Sequence, residues 1–422
     1  MILKIGSKGT VVKEIQSLLV QIGYNPGPID GYYGTKTFKA VRSFQKDNNL
    51  TPDGIIGPNT YTVLEKFLKG YDIYYVQKGD TLWKIARNYY TTVGKIIAAN
   101  PGIDPDNLYI GQRLTIPYGI DLIDTKIDYT YEILKRDIEG LKARYPFIEV
   151  GVVGKSVLGK NLYYIRLGTG KNEVFYNAAH HALEWITSPL LMKFTENFLK
   201  SYTDGKILRG YNLDQIWKES SIYIMPMVNP DGVNLVLNGL DPSFPYYNNL
   251  IKWNKGSKDF SKVWQANIRG VDLNHNYPAK WQEGKEAEEA LGIYGPGPTR
   301  YSGPAPLSEP ETQAVVNFVK QHDFRLTLAY HSQGQEIYWD FENMASAEAR
   351  KIGEAFAKAT GYELAQTYGI TSYSGFKDWF ILEYRKPGYT FEVGLGKNPL
   401  PIEQFPMIYQ NNEEALLLAS II

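Results

Sequence analysis

Five histidines occur in 422 residues, and two of them are adjacent, in the segment NAAHHALEWI at residues 177–186. A hydrolytic zinc site usually takes three protein ligands from His and Asp or Glu and keeps a fourth position for water. His181 and Glu184 have the His-x-x-Glu spacing that brings two side chains to one side of a strand-to-helix turn. His180 is one residue out of register. A third ligand must come from a different element, and His331, which ends the strand-like run LTLAYH, is the best candidate. The competing reading is a hydrogen-bonded histidine that merely closes a strand. His-x-x-Glu alone is common by chance, so its weight rests on the surrounding chain.

The elements that would position these residues are legible from periodicity. Runs such as LYYIRLG, SIYIMPMVN, RLTLAYHS and GYTFEVG read as strands, and they alternate with the helical stretches PETQAVVNFVKQ and AEARKIGEAFAKAT. The strand VFYNAA delivers the histidine pair onto the start of a helix that continues through Leu190 to Leu199. The chain is long enough for two or three domains. Its formal charge is zero, which argues against a dedicated nucleic-acid binder. The charge is unevenly spread: residues 1–118 hold 14 Lys and Arg against 9 Asp and Glu, and the remainder 31 against 36. The mildly basic front suits an anionic surface, though scattered solvated charge is the better account of it. Absence of cysteine excludes disulfides and thiolate metal sites. No apolar run reaches the ~20 residues of a membrane span. The N-terminal MILKIGSKGTVVKEIQ does not read as a secretory signal, so synthesis in the cytoplasm is expected.

The front third is modular. DGYYGTKT and DGIIGPNT start 23 residues apart, at Asp30 and Asp53, and both follow Asp-Gly-x-x-Gly-x-x-Thr. Asp-Gly supplies a turn in which Gly tolerates positive φ. The Thr or Asn that follows is expected to cap a helix start. With Val12, Ile15, Leu19 and Ile22 on one face, and similar patterns after each turn, three short helices are predicted. The stretch AVRSFQKDNNLTPDGIIGPNTYTVL resembles the peptidoglycan-binding module of bacterial cell-wall hydrolases, assigned to residues 1–70. Residues 71–118 carry YYVQKGDTLWKIA and NPGIDPDNLYIGQRLTIP in β-α-α-β order, with Thr81 placed to cap the first helix. This segment is similar to a LysM domain, a binder of N-acetylglucosamine-containing glycans. The likeness places the sugar against two loops, at Gly79, Asp80 and Thr81 and at Asn107 to Ile110, residues that also have turn-forming roles.

Across residues 119–422 the motifs HALEWI, NPDG, GVDLNHNY, YSGPAPLSEPET, AYHSQG, FKDW and TFEVG occur in order. They resemble the successive motifs of the carboxypeptidase A-type zinc metallopeptidases. The expected fold is a large α/β domain with a mixed central sheet flanked by helices. The HHA form of the first motif and the wall-binding front resemble one branch, the bacterial γ-D-glutamyl-L-diamino acid endopeptidases, which cut peptidoglycan stem peptides. The resemblance implies one zinc ion on His181, Glu184 and His331, with His180 outside the ligand set. It makes Asp272 the carboxylate that orients a ligand histidine, and Glu392 the base that takes a proton from water and returns it to the leaving amine. It gives Arg269 the role of stabilising the oxyanion, and Tyr373, with Tyr368 as competitor, that of a substrate-binding tyrosine.

Two departures speak to specificity. Carboxypeptidases of the superfamily carry Asn-Arg where this chain has Asn274-His275, and the arginine grips a terminal carboxylate. A neutral imidazole cannot reproduce that bidentate pair. Leu183 likewise replaces the arginine of the first motif. Lys377, before Asp378, suits a negatively charged group beyond the scissile bond, such as the second carboxylate of meso-diaminopimelate, with Arg385 as a nearby alternative. The expectation is a zinc-dependent endopeptidase for the γ-D-glutamyl–diaminopimelate amide, acting on wall or spore peptidoglycan of a spore-forming bacterium. The alternatives are a carboxypeptidase and a noncatalytic wall-binding protein. Neither nucleic acid nor membrane insertion is expected.

Overall fold

A computed structural model describes residues 2–367 and 372–422. The chain divides into two compact units. The first comprises residues 1–128, 132–147 and 203–205, and the second residues 129–131, 148–202 and 206–422. Among the described residues no helix is long and apolar enough to cross a membrane.

The first unit begins with the three predicted helices, Thr10–Gln21, Thr35–Asp47 and Pro58–Lys69, packed around Val12, Ile15, Leu19, Val41, Phe44 and Leu64. Each Asp-Gly turn wraps a buried glutamine. Gln16 accepts from Gly31 N–H and donates to Asp30, the Tyr32 carbonyl and Thr37, and Gln45 repeats this with Gly54, Asp53, Ile55 and Thr60. Backbone N–H groups and these glutamines hold Asp30 and Asp53 below the usual carboxylate range. This corrects the capping expectation: Gly34 and Gly57 hold the cap positions with no side-chain cap, and Thr37 and Thr60 lie within the first turn, where they accept from the glutamines. Strands β1 (Tyr71–Tyr75) and β2 (Arg113–Pro117) then pair antiparallel around helices Leu82–Asn88 and Val93–Ala99, and Thr81 caps the first of these through Lys84 N–H at 3.2 Å. Helix Tyr131–Arg144 lies in the segment assigned by sequence to the peptidase. Most of it belongs with this unit, through Arg136–Glu14 at 2.6 Å and Arg144 to the Gly70 carbonyl at 3.0 Å.

The second unit is built on β3 (Glu149–Lys155), β4 (Asn161–Leu167), β5 (Asn172–Ala178), the small hairpin β6 (Ile207–Leu208) and β7 (Tyr211–Asn212), β8 (Ser220–Met225), β9 (Leu326–His331), β10 (Glu336–Tyr338), β11 (Glu363–Ala365) and β12 (Gly388–Glu392). Eight of these form one mixed sheet in the order β11-β10-β12-β9-β5-β8-β4-β3, with β12, β9, β5 and β8 mutually parallel at its centre. Central strands buried on both faces read as continuous apolar runs, which is why VFYNAA and LTLAYH lack alternation. Successive side chains of β5 serve opposite faces. Phe175 packs on Phe318 and Phe324, whereas Tyr176 meets Phe194 and donates to the Leu416 carbonyl at 2.8 Å. Helices Pro310–Lys320, Thr187–Asp204 and Phe405–Leu418 thereby cover the sheet.

Beyond β5 the chain next builds β8 on one side, while beyond β9 it builds β10 and β12 on the other. A crevice therefore opens at the carboxyl ends of β5 and β9, the position at which open α/β sheets bind ligands.

The SEPET motif braces this unit. Glu309 accepts from Asn267 at 2.7 Å and Arg269 at 2.8 Å, and Glu311 accepts the Val157 N–H at 3.0 Å. Burial, together with the nearby Asp231 and Glu309 carboxylates, pushes Glu311 up to about 8 from its ordinary 4.5. The folded state then keeps a proton that the unfolded chain releases, so stability falls as pH rises from about 4.5 towards 8. Replacing Glu311 by Gln removes that proton linkage. The melting temperature of the wild type should fall between pH 5 and pH 8 by at least about 4 °C more than that of Glu311→Gln, read by calorimetry.

Candidate metal centre and cleft

Strand β5 ends at Ala178, and the next residues turn sharply, with Ala179 at φ 53°. The NPDG segment holds that turn. Backbone N–H groups of Val228 and Asn229 donate to the carbonyls of Ala178 and Ala179, and the Asn229 amide donates to the His180 carbonyl at 3.0 Å. Gly232 is required here, because a β-carbon would stand 2.6 Å from the Asn229 side chain and 2.7 Å from the Ala266 carbonyl. A single 3-10 turn, Ala182–Glu184, completes the bend, and Thr187 ties it by donating to the Glu184 carbonyl at 2.7 Å.

This turn and the end of β9 bring three side chains together. His181 Nδ1 lies 2.8 Å from Glu184 Oε1, His331 Nδ1 lies 2.8 Å from Glu184 Oε2, and the two Nδ1 atoms face each other at 3.3 Å. The ligand atoms all fall within 4.8 Å of one another. His181 Nε2 donates to Asp272 Oδ1 at 3.0 Å, which leaves the Nδ1 lone pair pointing into the cluster. Asp272 is fixed in turn by the N–H groups of Asn274 and Arg300.

The electrostatics also call for a cation. Burial works to neutralise Glu184, yet the imidazoles of His181 and His331 hold it down at about 2. Burial is likewise outweighed at Asp272, which His181 and His275 hold far below the usual range. Two ionised carboxylates in an enclosed site demand two compensating charges, and without a metal they draw His181 well above its ordinary pKa against the effect of burial. Two imidazole nitrogens and a carboxylate, oriented by a further carboxylate, are the donor set of a hydrolytic zinc site. The residues present fit the metal.

His180 answers differently. Its ring is fully buried, bonded through Nε2 to Tyr277 Oη at 2.9 Å and stacked 5.5 Å from His331. Burial and the neighbouring His331 and His181 keep it neutral. It packs behind the site.

Glu392 ends β12 in register with His331, one strand over. Burial and the Glu184 charge raise its pKa well above the ordinary value, and a divalent cation at the ligands opposes that shift. A cleft of about 520 Å³ opens above these groups, lined also by Leu183, Lys262, Gln265, Asn274, His275, Tyr338, Lys377, Lys397 and Asn398.

Several expectations need correction. Arg269 does not line the cleft. Its guanidinium is committed to Glu309 and the Ser308 carbonyl, the loop-bracing role that competes with oxyanion binding. The same segment presents Gln265 instead, whose carbonyl accepts from Ala182 N–H at 2.9 Å beside the ligand turn. Its side-chain oxygen is taken by the Thr299 hydroxyl. Tyr373 also lies off the cleft, against Gly284, and Tyr368 falls outside the described residues. Tyr338 and Asn398 line the cleft without any sequence motif to announce them; Asn398 reaches Glu184 at 3.4 Å and the Ser332 carbonyl at 2.6 Å.

Lys377 lines the cleft but is only 4% exposed and is paired with Asp378 and the Asp340 carbonyl, so its charge is already matched. Arg385 is exposed and lies outside the lining. Asn274 accepts from Phe376 N–H at 3.0 Å, and burial keeps His275 neutral by lowering its pKa. In the front unit, Asp80 is occupied by Tyr74 and Gln77, Thr81 by its cap and the Gly79 carbonyl by Lys84, and the Asn107 N–H donates to the Asp104 carbonyl. The exposed large apolar side chains here are Ile110 and Tyr109, both 67% exposed, with Trp83 at 63% on the adjoining helix.

Orientation of His181 by Asp272 makes a direct prediction. Asp272→Asn should weaken zinc binding by about 10–100-fold, measured by competition with a chromogenic chelator. An unchanged affinity would mean that the carboxylate serves only the turn.

The family models agree with this arrangement. Zinc carboxypeptidase matches residues 134–415, a putative peptidoglycan binding domain residues 8–64, and a LysM domain residues 74–117. The chain is 39% identical to γ-D-glutamyl-L-diamino acid endopeptidase 1 of Lysinibacillus sphaericus, over 79% of this chain and 96% of that one. It is 27% identical to rat carboxypeptidase B, over 64% of each. Carboxypeptidase A of Helicoverpa armigera shares the fold with a TM-score of 0.52 at 17% identity, over 92% of this chain and 95% of that one. Bovine thrombin-activatable fibrinolysis inhibitor does so with a TM-score of 0.51 at 22% identity, over 70% of this chain and 97% of that one. With its motifs in order and its ligands converging at the carboxyl ends of the central strands, this chain belongs to the zinc carboxypeptidase family.

Proposed function

We propose that this chain hydrolyses the γ-D-glutamyl–meso-diaminopimelate amide of peptidoglycan stem peptides. The observation that carries the endopeptidase reading is His275. Where a carboxypeptidase grips a terminal carboxylate with a guanidinium, this cleft offers an imidazole that burial keeps neutral. A neutral imidazole at that position does not grip a free chain end as a guanidinium does, which favours substrates that continue past the scissile bond. Likeness to the endopeptidase of L. sphaericus along nearly that protein's whole length supports the same substrate.

Zinc, when bound, polarises the scissile carbonyl and makes water a nucleophile near neutral pH. Glu392 accepts the proton of the attacking water on its carboxylate and returns it to the leaving nitrogen. Gln265 takes the role first given to Arg269. It lines the cleft and its side-chain oxygen is held by Thr299, so its side-chain amide is the donor we assign to the developing oxyanion. The peptidoglycan-binding and LysM modules raise the local concentration of the catalytic unit on the wall, as tethering does for any linked pair of sites. We take wall or spore peptidoglycan as the place of action, a reading that the two modules support.

The test is mass spectrometry of L-Ala-γ-D-Glu-meso-diaminopimelate, with and without a D-Ala extension. Release of L-Ala-D-Glu from both peptides is expected, abolished by chelator and reduced at least about 10²-fold in Glu392→Ala, with zinc retained by the variant. Release of D-Ala alone would make the protein a carboxypeptidase despite His275. No cleavage with zinc bound would leave a wall-binding protein with an idle peptidase unit.

A further inference from the structure

The charged side chains around the cleft differ in their partners. Glu184 belongs to the ligand cluster, Glu392 stands in register beside His331, Asp378 is paired with Lys377, and Arg269 is spent on Glu309 outside the cleft. Two lysines remain. Lys262 and Lys397 both line the cleft, both are exposed, and among the described residues neither makes an ion pair. Lys262 lies near the exposed Asp259 without bonding to it; that carboxylate is held by Ser261.

Both lysines ride on segments anchored to the ligand turn. Lys262 precedes Gln265, whose carbonyl is bonded by Ala182 N–H at 2.9 Å. Lys397 precedes Asn398, whose amide reaches Glu184. Each lysine thus neighbours a residue bonded to the ligand turn, while its long side chain lets the ammonium reach an anion in the cleft. An ammonium is a mobile point charge with three donors, suited to a carboxylate whose position varies between substrates.

Resting on the reading of the site given above, we propose that Lys262 and Lys397 are the carboxylate-reading pair of this cleft, so that the enzyme selects stem peptides by the free carboxylates flanking the cleaved amide. A γ-linked glutamate keeps its α-carboxylate free on one side of that bond, and diaminopimelate supplies carboxylates on the other. The structure thus assigns to two exposed lysines the selectivity that sequence position had given to Lys377.

The experiment compares L-Ala-γ-D-Glu-meso-diaminopimelate with two analogues, one amidated at the glutamate α-carboxylate and one at the diaminopimelate side-chain carboxylate. Each is assayed for kcat/KM with zinc-loaded wild type, Lys262→Ala, Lys397→Ala and Lys377→Ala. The wild type should prefer the parent peptide at least about 10-fold over each analogue, since one well-placed charge contact contributes a factor of this order. Each of the Lys262 and Lys397 variants should lose that preference, to within about 2-fold, for one analogue while keeping it for the other. Lys377→Ala should keep both preferences. Wild-type preferences surviving in both the Lys262 and Lys397 variants would overturn the proposal while leaving the endopeptidase reading intact. Failure of the wild type to cleave the parent peptide would overturn that reading and the lysine assignment with it.

Discussion

Two imidazole nitrogens stand 3.3 Å apart with a buried carboxylate 2.8 Å from each. Lone pairs cannot be held at such distances in an enclosed site without positive charge between them. The surrounding architecture serves to impose that convergence. Parallel strands end side by side, so His331 and Glu392 emerge in register, and β5 delivers His181 and Glu184 through a turn that the NPDG segment clamps from behind. Asp272 fixes the orientation of His181, and His180 fills the space beneath with a neutral ring.

The same constraint separates the groups that do chemistry from those that maintain shape. Glu309 and Glu311 are as buried as the ligands, but they brace the Asn267–Arg269 loop and the Val157 backbone. The cost of burying Glu311 is met by keeping it protonated. At Glu184 the charge is kept, because partners converge on it. Burial is common to both groups, and the company each keeps decides its ionisation.

Much of this was legible in the chain. The front modules, the His181-x-x-Glu184 pair and the ends of the central strands are set locally and follow from spacing and motif, whereas His331 as third ligand and Asp272 rest on the resemblance of the ordered motifs to a known family. What sequence position could not resolve were contacts made across long separations. Arg269 sits in the right motif, yet its guanidinium is captured by Glu309, 40 residues on. Lys377 stands at the specificity position, but its neighbour Asp378 and a carbonyl from Asp340 take its charge. Thr37 and Thr60 look like caps and instead close a glutamine-centred turn. Gln265, Tyr338 and Asn398 carry no motif of their own; they become visible only when the strands bring their loops to one cleft.

The claim on which the rest stands is that His181, not His180, holds the metal together with Glu184 and His331. Anomalous diffraction at the zinc edge from crystals of the zinc-loaded protein tests it directly. One zinc ion per chain is expected, bound by the Nδ1 atoms of His181 and His331 and by the Glu184 carboxylate, with His180 still bonded to Tyr277. A zinc ion ligated by His180, or no peak at this cluster, would contradict it.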